Sequence, residues 1–244
     1  MTYVKKRIPR KPSKEADEVL TVYQKGLDWA HENINRIIYI GGAILFIVVI
    51  SIGYMWVKSN KQEAASGALS SAMAVYRQVI GNENPLEEVE PGKEKLAEAL
   101  KAFEQVSSDY KGMKQGYEAS LFAANIHFRM GNYDDASRIV EDLLASDPDF
   151  SSKLNVSYFL ARILETKGEY TRAMEVYSGV LDRATADLRP VVLMDLARCY
   201  ELAGDIDSAV EKYRTVLDEF EGTVYATKAD VKLATLGISA EELL

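Results

Sequence analysis

Residues 166–174 read TKGEYTRAM, and the same grammar occurs at 129–137 as RMGNYDDAS and at 202–210 as LAGDIDSAV. Each has a glycine, a polar residue, then Tyr or Ile, and an alanine three residues later. Gly131, Gly168 and Gly204 lie 37 and 36 residues apart. Ala136, Ala173 and Ala209 keep that spacing, and Ala99 in KLAEALKAFEQV lies another 37 upstream. Self-similarity at this period marks stacked helical pairs.

The residue types fit that mechanics. Glycine ends the first helix of a pair, where a positive φ is needed. Alanine belongs where two helices cross closely, and one turn later follows a larger residue: Phe103, Val140, Tyr177 or Tyr213. Leu100, Leu143, Leu144, Leu181 and Leu217 extend the same faces. No pair buries its apolar stripe alone, so pairs must stack. Residues 62–236 carry neither strand alternation nor an Asn-Gly hairpin signal. The expected fold is therefore all-α: a solenoid of about four pairs, closed by a capping helix at TVYATKADVKLATL (223–236). GNENPLEEVEPG (81–92) reads as a surface loop, and GISAEELL as a frayed end.

Upstream, Ile37 to Val57 read IIYIGGAILFIVVISIGYMWV, twenty-one residues without an ionisable acid or base. As a helix the run spans ~32 Å, against a hydrocarbon core of ~30 Å. Tyr39 near one end and Tyr54 and Trp56 near the other suit the two headgroup levels. A cleaved signal would be shorter and end at a small-residue site; here Lys58 and Lys61 follow directly. The run is expected to be an uncleaved single transmembrane helix.

Charge orients it. Residues 1–36 carry net +3 and residues 58–244 net −11, within a chain of −8. The cluster Lys5, Lys6, Arg7, Arg10, Lys11 and Lys14 places the N-terminus inside by the positive-inside rule. The expected layout is a basic cytoplasmic tail (1–14), an amphipathic helix (15–36), the span (37–57) and an extracytoplasmic domain (58–244). In the amphipathic segment Ala16, Leu20, Tyr23, Leu27, Ala30 and Ile34 form an a/d stripe. Three heptads suit a helix lying on membrane lipid or held by a partner, and also a short coiled coil. The lone Cys199 lies in a helical run, reads as a small buried apolar residue, and leaves the compartment open.

Signatures of chemistry are missing: no GxSxG, Walker-type loop, HExxH or post-strand GxGxxG. His127 has no second His or Cys at ligand spacing. Asp134–Asp135, Glu87–Glu88 and Glu241–Glu242 read as solvated charges. No catalytic, cofactor or metal site is expected, and an acidic domain disfavours nucleic acid. Function then rests on a surface. In stacked pairs the first helix lines the concave face. The candidate peptide-binding groove comprises Leu121, Phe122, Asn125, Phe128 and Arg129, then Tyr158, Phe159 and Arg162, then Val191, Met194 and Arg198. It is an aromatic and aliphatic face with three arginines, suited to an extended or helical apolar peptide.

The pattern small-Gly-Asp-Tyr-x-x-Ala, with Leu160–Ala161 and Leu196–Ala197 upstream, resembles the tetratricopeptide repeat over 117–222, and more weakly over 62–110. The period exceeds the consensus of 34, and a closing proline follows only one unit (Pro148). Some such domains grip a C-terminal carboxylate with Lys and Asn; here Leu121, Phe159 and Asp195 stand in those places. The whole layout, with its LDW-containing helix, GYMWVKSN and AASGALSSAMAVYRQV, resembles the YfgM-like family. That resemblance implies a single-pass bacterial inner-membrane protein with a periplasmic repeat domain, ancillary to the Sec translocon or acting as a periplasmic chaperone. Its implied partners are exported or unfolded polypeptides, translocon subunits and periplasmic folding factors. A scaffold for a fixed envelope or division complex is the alternative.

Overall fold

The computed structural model describes residues 14–80, 92–146 and 150–237, with side chains from Thr21 and, in the third segment, from Lys153. The tail upstream of Lys14, the insert at 81–91 with Glu87–Glu88, Pro148, and residues 238–244 with Glu241–Glu242 lie outside the described residues. Among the described residues there are ten helices and no strand. The chain divides into two units, Met1–Lys61 and Gln62–Leu244.

The first unit holds α1 (Lys14–Glu32) and the start of α2 (Ile34–Ile80). At the junction the Asn33 amide still donates to Trp29 O at 3.0 Å, while its side-chain amide donates to the same oxygen at 2.9 Å. Side-chain competition of this kind interrupts a helix without breaking its hydrogen-bond ladder. On α1, Tyr23 and Leu27 of the a/d stripe are exposed, as is Ile34 at the start of α2. The run 37–57 is exposed along its whole length. By length and composition α2 is the one described helix able to cross a membrane.

The second unit is a series of helical pairs. Residues 62–80 of α2 pack on α3 (Lys93–Asp109) through Leu69, Ala72, Tyr76 and Val79 against Leu96, Ala99 and Phe103. Next come α4 (Lys114–Arg129) with α5 (Tyr133–Ala145), and α6 (Phe150–Thr166) with α7 (Tyr170–Leu181). The last pair is α8 (Arg189–Ala203) with α9 (Ile206–Glu219), and α10 (Val224–Thr235) closes the series against α8 and α9. That is four pairs and a cap.

The repeated residues lie where the spacing puts them. Ala99, Ala136, Ala173 and Ala209 have no exposed surface, nor do Phe103, Val140, Tyr177 and Tyr213 one turn on. Fully burying one such side chain contributes about 1.5–3 kcal/mol, and each does so only because the neighbouring pair covers it. The core accordingly runs on from pair to pair: Val140 and Leu143 of the second share a cluster with Leu160 and Tyr177 of the third and Val192 of the fourth.

Gly131, Gly168 and Gly204 end the first helices at φ 80°, 78° and 84°, which a side chain would strain. The residue after each donates five back, Glu169 N to Leu164 O at 2.9 Å for example, closing the helix end. A second kind of turn leaves α3 and α9. Met113 N donates to Tyr110 O at 3.0 Å and Thr223 N to Phe220 O at 3.1 Å.

Candidate functional site

The first-helix face is built from residues 62–80 of α2 and from α4, α6, α8 and α10. The predicted residues divide between this face and the core beneath it. Phe122 packs inward, stacked on Phe103 at 4.9 Å between centroids and edge-on to Tyr76 at 6.0 Å. Leu121 joins the core shared by the second and third pairs, and Met194 the core under α9 and α10. Phe128 and Phe159 are half-buried and meet edge to face at 5.7 Å. Asn125 accepts from the Tyr76 hydroxyl at 3.2 Å, and Arg129 donates to that hydroxyl at 3.3 Å. Val191 is half-buried on α8.

A polar cluster joins the third and fourth pairs. The Arg198 guanidinium donates through Nε and Nη2 to the two Glu165 oxygens at 2.6 and 2.9 Å. Arg198 also lies 2.8 Å from Asp195. The Tyr177 hydroxyl donates to Glu165 at 2.8 Å, and Tyr158 donates to Asp195. Both carboxylates are nearly buried, with side chains 9% and 12% exposed. Burial, and then the Asp195 bond, raises the Tyr158 phenol; burial, and then the Asp195 and Glu165 charges, raises that of Tyr177. Both stay protonated and act as donors. The bonds to Glu165 hold the Arg198 guanidinium above its usual range.

The motif repeats one pair later. Tyr213 donates to Glu201 at 2.9 Å, and Lys232 of the cap reaches the same carboxylate at 3.1 Å. Sequence reading missed this device: a tyrosine on the second helix, a glutamate on the first, and a cation from the next first helix. Its signal was present, because Glu165 and Glu201 lie 36 apart, as do Tyr177 and Tyr213.

His127 is 9% exposed, with Nε2 3.6 Å from Glu104. Asp134 pairs with Lys167 at 2.8 Å, and Asp135 with Arg138 at 3.2 Å, on an exposed surface. Among the described residues no group of three His, Cys, Asp or Glu side chains is placed to hold a metal ion. Cys199 is fully buried, and burial, then the Glu165 charge, pushes its thiol up to about 11.

What the geometry defines is an interaction surface on stacked pairs. The tetratricopeptide repeat-like domain family matches residues 28–189, and a tetratricopeptide repeat matches residues 192–223. The chain belongs to the tetratricopeptide repeat-like domain family. Its repeats make it a protein–protein interaction module. No curated protein matches the sequence. Among solved structures it is similar to a Podosopora anserina chain described as a kinesin light chain with nearly identical TPR-like repeats: 18% identity and TM-score 0.57, over 70% of this chain and 85% of that one. It is also similar to MamA, residues 41 to the end, from Desulfovibrio magneticus RS-1: 14% identity and TM-score 0.52, over 72% and 90% of the two chains. At these identities the likeness concerns the fold.

Proposed function

We propose that this is a bacterial inner-membrane protein whose single span (37–57) tethers a periplasmic polypeptide-binding repeat unit, an ancillary subunit of the Sec translocon or a chaperone for exported chains. The observation that carries it is the extent of the family match. It begins at Asp28, upstream of the apolar run, so the run belongs to the matched domain. The layout shared with the YfgM-like family supports the translocon and folding-factor partners. The absence of catalytic motifs in the sequence supports binding over turnover. Tethering contributes through effective concentration, because a weak binder held near an exit meets every emerging chain.

A photo-crosslinking residue at Asn155, exposed on α6 one turn before Phe159, should capture varied exported polypeptides in living cells. The same residue at Glu175, exposed on the second helix α7, should capture few. A probe at Gly42 in the span should capture translocon subunits. Capture of a single stoichiometric envelope protein at Asn155, with nothing of the translocon at Gly42, would make the chain a scaffold instead.

A further inference from the structure

Each first helix after α2 sends one cation back to the first helix before it: Arg129 to Tyr76, Arg162 to Phe128, Arg198 to Glu165 and Lys232 to Glu201. The rungs are equivalent by spacing, since Phe128, Glu165 and Glu201 follow at 37 and 36 residues, and Arg162 precedes Arg198 by 36. In the last two rungs a carboxylate neutralises the cation, and a tyrosine from the second helix donates to that carboxylate. At the second pair both anchoring positions are apolar, Phe128 for the glutamate and Val140 for the tyrosine. Arg162 therefore meets a ring, its guanidinium carbon 5.9 Å from the Phe128 centroid, and pairs with no carboxylate among the described residues. It is exposed, and Phe159 stands edge-on to the same ring at 5.7 Å.

A guanidinium resting on a ring keeps its N–H edges available, and their fork matches a carboxylate. Exposed in the free chain, it would lose its water to a bound segment that covered the aromatic pair, and that loss is unfavourable unless the segment supplies an anion. The neighbouring carboxylates do not serve, because Glu165 and Asp195 are committed to Arg198, Tyr177 and Tyr158. We propose that Arg162 binds the side-chain carboxylate of an Asp or Glu within a bound polypeptide segment, while an adjacent apolar side chain of that segment packs against Phe128 and Phe159. The partner thus completes the rung that the chain leaves open. This deepens the polypeptide-binding reading and rests on it.

The test uses the full chain in detergent micelles and three fluorescein-labelled octapeptides of one Leu- and Phe-containing sequence. One is amidated with a central Glu, one is amidated with Gln there, and one has Gln and a free C-terminal carboxylate. Fluorescence anisotropy should show the Glu peptide binding roughly tenfold more tightly than its amidated Gln partner, as a charge-assisted pair implies. The preference should shrink with added salt. Arg162→Gln should abolish the difference between the two amidated peptides while leaving helical circular dichroism unchanged. Equal binding of the two amidated peptides, a preference that survives Arg162→Gln, or a preference confined to the free C-terminal carboxylate would each overturn the proposal and leave polypeptide binding standing. Binding of no peptide would overturn both.

Discussion

Gly116 differs from the other described glycines in lacking room for a side chain. A Cβ there would lie 2.3 Å from Tyr110 O, whereas one at Gly179, on the exposed side of α7, would meet nothing within 4 Å. Gly116→Ala should therefore destabilise the repeat unit by about 1–3 kcal/mol through overpacking. Gly179→Ala should stabilise it by about 0.5–1 kcal/mol, since helix-interior glycine costs conformational entropy. Urea denaturation followed by circular dichroism separates the two, and equal signs would mean that the turn after α3 relaxes freely. The sequence read differently at these positions and at the capping glycines. Gly131, Gly168 and Gly204 were legible because they recur in one pattern and serve one purpose. Gly116 stands outside that pattern, and its need comes from the path of the Tyr110–Met113 turn, which no spacing records.

At the scale of elements, the four pairs and the cap could be read because one helix of each pair buries a single narrow stripe. The second helices keep that stripe clean, with Ala173 and Tyr177 inward and Arg172 and Glu175 outward. The first helices do not. On α4, Ala123, Ala124, Ile126 and His127 are buried, Phe122 enters the core of the first pair, and Phe128 enters that of the next. A helix packed on several sides has no polar half, so periodicity could not separate groove from core. That is why Phe122 and Leu121 share a candidate face with the exposed Arg162. The polar rungs make a sharper prediction. Arg198→Ala leaves Glu165, whose side chain is 9% exposed, with the Tyr177 hydroxyl but no cation, and should cost about 1–3 kcal/mol. Lys232→Ala removes a more exposed pair, with Lys232 at 38% and Glu201 at 26%, and should cost less than about 1 kcal/mol. Matching losses in thermal melts would mean that solvent reaches Glu165 as freely as Glu201.

At the scale of the whole molecule, the proposed orientation puts residues 1–14 in the cytoplasm and the repeats in the periplasm. The chain's single cysteine makes this testable without a cysteine-free background. Cys199 is fully buried, and its thiol is pushed up to about 11, so near neutral pH it is neither reachable nor ionised. A membrane-impermeant maleimide applied to intact cells with a permeabilised outer membrane should leave the native chain unlabelled. Lys101 is exposed on α3, and Lys101→Cys should be labelled in those cells. Ser13→Cys, in the basic tail, should be labelled only after the inner membrane is opened. The signal behind this expectation is modest at the membrane itself, where Lys25 and Arg36 face Lys58 and Lys61, and comes mainly from the cluster between Lys5 and Lys14. Replacing Lys5, Lys6, Arg7, Arg10 and Lys11 with glutamine should therefore produce a mixed population, with part of Ser13→Cys labelled in unopened cells. Labelling of Ser13→Cys but not Lys101→Cys in the otherwise native chain would reverse the orientation and remove the export channel as a neighbour. Uniform protection of both would mean that the span does not cross.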